Sequence, residues 1–170
     1  MDIKVMKLKY MLLVVSLLIL VACSDKEVEL PVLVDNKQII EPVNLDVYKS
    51  PTCECCGKWV DHMSKNGFSA STHHPLNLAQ LKSDKGIAPR YQSCHTGISK
   101  DGYIFEGHIP ATVIKRFLDE KPKGALGLSV PGMPIGSPGM EMGNQYDDYD
   151  VLLLMKDGSA TVYQQIRKEV

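Results

Sequence analysis

Cys53-Glu54-Cys55-Cys56 stands where an alternating segment meets an amphipathic one, and this junction constrains the fold more than any other feature of the chain. Leu45 to Tyr48 alternates apolar and polar residues, the pattern of a half-buried strand. Ser50-Pro51-Thr52 is a turn that ends it. Cys55 to Asn66 reads as a helix, with Trp59, Val60, Met63 and Phe68 supplying an apolar stripe and Gly67 a C-terminal stop. Ser69 to His73 predicts a second short strand.

The rest of the chain extends this pattern. Leu76 to Lys85 predicts a second helix with Leu78 and Leu81 inward, closed by Gly86. Thr96 to Ser99 and Tyr103 to Glu106 flank Lys100-Asp101-Gly102, a hairpin signal. Pro110, at a first helical position, opens a third helix with Val113, Ile114, Phe117 and Leu118 on one face. Asp150 to Met155 and Ala160 to Ile166 pair across Lys156-Asp157-Gly158-Ser159. A strand, a cysteine-bearing turn entering a helix, and a second strand open a thioredoxin-like domain. The expected class is therefore α/β: a thioredoxin-like mixed sheet flanked by helices, with a Gly/Pro/Met-rich loop and a C-terminal β-hairpin. At 170 residues the chain suffices for one ordinary domain and not two. Lys+Arg is 19 and Asp+Glu is 20, a balance that excludes the usual strongly basic nucleic-acid binder.

The first residues read as an address. Lys4, Lys7 and Lys9 precede an uncharged apolar run from Tyr10 to Ala22. That run is too short to cross ~30 Å of hydrocarbon, which takes about 20 residues. It has the layout of a secretory signal peptide, with Met6 an alternative start. Its end, Leu20-Val21-Ala22-Cys23, resembles a bacterial lipobox, in which Cys23 becomes the lipidated first residue. Ser24 after it leans toward the outer membrane. The expected organisation is a lipoprotein signal peptide over 1–22, a lipid-anchored flexible tether over 23–43, and one domain over 44–170. Val32-Leu33-Val34 within the tether reads alternatively as a short edge strand. Cleavage before Cys23 removes Asp2 and three lysines and places the chain in an oxidising compartment, where free thiols survive best when bonded to something.

Four cysteines then remain: Cys53, Cys55, Cys56 and Cys94. The first three sit at a helix N-terminus, whose unpaired N–H groups and partial positive charge favour thiolate, the metal-binding form. Cys94, in Ser93-Cys94-His95-Thr96, precedes the third strand, where a thioredoxin-like fold usually carries a proline over the cysteine turn. His108 follows the fourth strand at the same end of the sheet. Disulfide exchange needs only Cys53 and Cys56. A closed zinc site takes three or four thiolates plus histidine. Adjacent Cys55 and Cys56 diverge by about 100° on a helix, which suits bridging between several ions better than one compact site. Soft thiolates and thioethers prefer Cu(I), so a thiolate-bridged copper site is the sharpest reading. Two structural disulfides are the plainer alternative.

The segment from Val130 to Met142 carries Met133, Met140 and Met142 among glycines and prolines that exclude helix and central strand. Its methionines read first as packing residues and second as soft ligands; Met133 and Met140 are the candidates. His95 reads as a hydrogen-bonded structural histidine or a ligand. His62, His73 and His74 read as surface residues, and Trp59 as core. Asp147, Asp148 and Asp150 lack the spacing of a calcium loop and read as a solvated turn.

Five separated motifs now occur in order: Ser50-Pro51-Thr52-Cys53-x-Cys55-Cys56-Gly57-Lys58-Trp59, Ser93-Cys94-His95-Thr96, Gly102-Tyr103-x-x-Glu106-Gly107-His108-x-Pro110, the run from Gly127 to Glu141, and Tyr149-Asp150-Val151-Leu152-Leu153. Together they resemble the CopG-like family over about Leu45 to Val162. The resemblance implies a periplasmic or membrane-tethered copper-resistance protein in which Cys53, Cys55, Cys56 and Cys94 hold a cluster of copper ions and His108 completes the shell. The expected function is Cu(I) sequestration, redox handling or transfer on the periplasmic side of a Gram-negative envelope. Its partners would be copper ions, other envelope copper-handling proteins and the membrane through a lipid anchor, with no nucleic acid. The alternatives are a thiol–disulfide oxidoreductase using Cys53 and Cys56, alone or coupled to copper redox, and a structural zinc-site protein.

Overall fold

The computed structural model describes residues 41–168. The signal-peptide segment, Cys23, Ser24 and Val32-Leu33-Val34 lie outside the described residues. The strands are β1 (Val43–Lys49), β2 (Phe68–His73), β3 (His95–Ser99), β4 (Ile104–Glu106), β5 (Ala125–Ser129), β6 (Tyr149–Met155) and β7 (Ala160–Ile166). The helices are α1 (Glu54–Lys65), α2 (Leu78–Asp84) and α3 (Ala111–Glu120), with a 3-10 turn at Pro89–Tyr91. The strands form one mixed sheet in the order β2-β1-β3-β4-β5-β6-β7. β1 runs parallel to β2 across α1, and β4 parallel to β5 across α3; the other neighbours are antiparallel. This is the expected α/β thioredoxin-like sheet, closed at one edge by the C-terminal hairpin.

Adjacent residues of a strand face opposite sides of a sheet. Phe105 packs with Trp59 and Met63 of α1 and with Val113, Ile114 and Phe117 of α3. Its neighbour Ile104 packs with Ile87 and Leu154. The larger core therefore lies on the face covered by α1 and α3, and a smaller one lies on the other. The hairpin turns close as the two Lys-Asp-Gly sequences require: Gly102 N–H donates to Ser99 O at 2.8 Å and Gly158 N–H to Met155 O at 3.0 Å.

Three elements differ from the sequence expectation. β5 has no alternating signature, because four of its five residues are buried. A strand covered on both faces carries no period-2 pattern. Gly127 within it is required by close approach: a Cβ there would sit 1.8 Å from the carbonyl oxygen of Ile104. Pro110 is the residue before α3 rather than its first residue. In α2 the buried residue is Lys82, while Leu76 is fully exposed ahead of the helix and Leu78 and Leu81 are half-buried. Asn77 caps α2 instead, its Oδ1 accepting from Gln80 N–H at 2.9 Å.

Candidate metal centre

The sheet register brings the chemistry to one end of the molecule. Lys49, the last residue of β1, pairs with His95, the first of β3, and Thr96 pairs with Glu106, the last of β4. The turn after β1, the segment before β3 and the turn after β4 therefore meet. Cys53 precedes α1 and Cys55 and Cys56 occupy its first turn. Cys94 precedes β3, and His108 follows β4.

The sulfurs of Cys53, Cys55, Cys56 and Cys94 all lie within 4.8 Å of one another. A second group, Cys94, His95 and His108, meets the same limit, so the Cys94 sulfur belongs to both. Cys53 and Cys56 are joined as a disulfide, and Cys55 Sγ lies 3.5 Å from Cys53 Sγ. Cys55 and Cys94 are the thiols outside that bond among the described residues. The divergence expected of adjacent Cys55 and Cys56 still leaves their sulfurs within 4.8 Å of each other.

His108 is fully buried, and its tautomer follows from its contacts. Nδ1 lies 2.8 Å from the carbonyl of Pro138, an acceptor only, so Nδ1 carries the proton. Nε2 is left with a lone pair 3.0 Å from Cys94 Sγ. A backbone carbonyl that fixes one ring nitrogen so that the other is presented is the usual support of a metal-binding histidine. Burial holds the His108 pKa below the ordinary histidine value, against the Pro138 and Glu141 contributions. His95 is buried too, its ring 4.3 Å from that of Trp59 and its Nδ1 3.3 Å from Cys94 Sγ. Its Nε2 is the buried side-chain polar atom without a hydrogen-bond partner among the described residues. Burial foremost, then the neighbouring His108 and Lys82, holds its pKa well below the ordinary histidine value. Burial also pushes the Cys94 thiol up to about 12, with Cys55 adding to the effect. Without metal, Cys94 is a thiol, and a metal that binds there displaces its proton.

A network that the sequence reading missed holds Cys94 and His95 in place. Glu106 is fully buried; it accepts from Ser93 N–H at 2.6 Å and from Thr96 Oγ1 at 2.6 Å. Lys82 of α2, itself buried, pairs with the same carboxylate and donates to Thr96 Oγ1 at 2.9 Å. The carboxylate thus grips both sides of the Cys94-His95 pair. Burial raises the Glu106 pKa and the Lys82 ammonium, Thr96 and Ser93 pull it back.

The Gly/Pro/Met-rich loop lies on the first turns of α1. A Cβ on Gly139, at φ +86°, would approach Cys55 O to 2.7 Å and Trp59 N to 2.8 Å. That contact carries Pro138 to His108. Met133 is 50% exposed and Met140 half-buried; both line an open cleft of about 490 Å³ together with Met142 and Cys55. Met142, 54% exposed, was not singled out by spacing. His73 and His74 are exposed as expected. His62 is half-buried instead, its Nε2 accepting from Ala111 N–H at 3.1 Å ahead of α3. Asp147, Asp148 and Asp150 are spent on Ile135 N–H, Lys168 N–H and Arg167.

Comparison with known proteins adds three findings. A family model described as a protein of unknown function, DUF411, matches residues 91–140, which span Cys94, His95, His108 and the loop to Met140. No curated protein matches the chain. Two solved structures, "Copper resistance protein copG- Form 1" and "Form 2", are similar to it at 39% and 38% identity. Each alignment covers 75% of this chain and 100% of the other, with a TM-score of 0.70.

Proposed function

The chain belongs to the CopG-like family of copper resistance proteins, and from that premise we propose that it binds Cu(I) as a multi-ion thiolate cluster at the tip of α1. The observation that carries this reading is the pair of overlapping donor groups sharing the Cys94 sulfur. Cys53, Cys55, Cys56, Cys94, His95 and His108 offer one donor atom each, more than a single tetrahedral ion uses. The set is sulfur and neutral imidazole with no carboxylate among it, which suits a soft monovalent ion. Cys53, Cys55, Cys56, Cys94 and His108 are the ligands in this reading, and His95 backs them.

Two of the four sulfurs join the site only after the Cys53–Cys56 disulfide takes up two electrons and two protons, for which an external thiol or phosphine reductant serves. In this reading the site faces the periplasmic side of a bacterial envelope and is tethered through a lipid on Cys23. The basic n-region and apolar run that end at Cys23 support that placement. No helix among the described residues is long and apolar enough to cross a membrane. Copper ions, and other envelope proteins that pass them, are the partners.

Anaerobic copper titration of the phosphine-reduced chain tests the reading, with metal and thiols quantified after desalting. More than one copper per chain is expected, and excess zinc should not displace it. Cys94→Ser should lower the ratio sharply, since both donor groups lose their common member. Less than one copper per chain, with zinc retained in its place, would overturn the reading. The disulfide itself favours a second reading, a thiol–disulfide oxidoreductase with Cys53 attacking and Cys56 resolving. That reading requires disulfide reductase activity on an insulin-type substrate that Cys53→Ser abolishes.

A further inference from the structure

Four large apolar side chains stand well exposed among the described residues, and two of them, Met133 and Met142, line the same cleft. Met140 lines it as well, and so does Cys55, a thiol of the candidate cluster. Burial of a methionine favours folding and exposure contributes nothing, so the exposed thioethers of Met133 and Met142 at one opening are not explained by packing. Nor is the loop that carries them loose. Met140 is fixed from both sides, its N–H donating to Ser137 O at 2.8 Å and its carbonyl accepting from Gly136 N–H at 2.9 Å. Ser137 Oγ donates to Pro134 O at 2.6 Å, and the contact of Gly139 with α1 seats the loop against Cys55 O. The two carboxylates at the cleft, Glu54 and Glu141, are exposed, and Glu141 is held by Gly139 N–H at 3.0 Å.

We propose that Met133, Met140 and Met142 form a thioether funnel through which Cu(I) reaches, and leaves by, the sulfur of Cys55. The inference rests on the copper reading above and names the route to that site. Thioethers are soft, neutral and carry no proton, so they take Cu(I) from solution without acid–base cost. They bind it less strongly than thiolate does, so an ion moves downhill from exposed Met133 and Met142 to half-buried Cys55. The copper stays monovalent throughout. At Cys55 it replaces the thiol proton, which passes to water. The carboxylates of Glu54 and Glu141 draw a cation to the opening, with Lys58 opposing them.

The test uses the full chain, phosphine-reduced and anaerobic, with Cu(I) supplied as its bicinchoninate complex and uptake followed by loss of the chelate colour. In the variant Met133→Leu/Met140→Leu/Met142→Leu, copper per chain at equilibrium should match the unaltered protein, while uptake slows about tenfold. Unchanged uptake overturns the funnel and leaves the cluster reading intact. A fall in copper per chain also overturns it, since the methionines would then be permanent ligands. An unaltered chain that takes no copper overturns the cluster reading and the funnel together. Met133 and Met142 are exposed, so their single leucine variants keep the test decisive if the triple variant folds poorly. Independently, Ag(I) alone should shift the methyl signals of all three methionines in Cys53→Ser/Cys55→Ser/Cys56→Ser/Cys94→Ser protein, and absence of any shift overturns the proposal.

Discussion

Cys94 owes its position to a carboxylate that belongs to neither donor group. Glu106 accepts hydrogen bonds from Ser93 N–H and Thr96 Oγ1, on either side of Cys94-His95, and is paired with buried Lys82. Removing one member of a buried ion pair leaves the other charge uncompensated, which costs about 3–5 kcal/mol. Glu106→Gln should therefore lower the urea unfolding free energy by about that much, by stranding the Lys82 ammonium. The double variant Lys82→Met/Glu106→Gln should recover a large part of the loss, because no charge is then left buried. If Glu106→Gln unfolds at the wild-type urea concentration, the carboxylate is not holding this segment.

α3 begins where His62 of α1 touches it. Among the first-turn N–H groups that a helix leaves without intrahelical partners, Ala111 N–H finds His62 Nε2. The contact needs a neutral ring. Burial lowers the His62 pKa from the ordinary 6.5, with Lys65 adding and Glu141 opposing. A lowered histidine means the unfolded chain binds the extra proton first, so stability falls as pH drops below 6.5 and is level above it. His95 and His108 are lowered as well and act with the same sign. Urea unfolding of metal-free protein across about pH 5 to 7.5 should show this decline, and His62→Gln should make it shallower. An unchanged slope would mean that the ring does not titrate against the start of α3. The methionine loop is the other element whose placement carries function: its Pro138 carbonyl selects the His108 tautomer, and its Gly139 leaves room for α1 beneath.

At the scale of the whole molecule, the sheet register decides that thiols from both halves of the chain meet, and the disulfide decides how many are available. With Cys53 and Cys56 joined, Cys55 and Cys94 are the two remaining thiols of the group. Phosphine reduction should raise the number of copper ions retained per chain, and copper should then protect all four thiols from alkylation. Equal copper retention by the oxidised and reduced chains would show that Cys53 and Cys56 are not ligands. The membrane address predicted for residues 1–22, with Cys23 as the lipidated residue, belongs to this scale too; metabolic labelling with a palmitate analogue should mark the chain, and Cys23→Ser should abolish the label.

Amino-acid order alone encodes what depends on near neighbours in the chain. The C-x-C-C turn between strand and helix, the Lys-Asp-Gly hairpins and the amphipathic face of α3 were legible, because each depends on neighbours within a few residues. β5 was not, because burial on both faces erases alternation. Lys82 with Glu106 was not, because a charge 24 residues away in the chain acts as a partner only once the fold brings the two side chains together. His62 looked like surface until α3 docked on it. The meeting of Cys94 with the cysteine turn follows from Lys49 pairing with His95, a register that no single segment specifies. Side-chain identity limits which atoms can bind a soft metal; tertiary packing, which sets distance, burial and tautomer, decides which of them share one site.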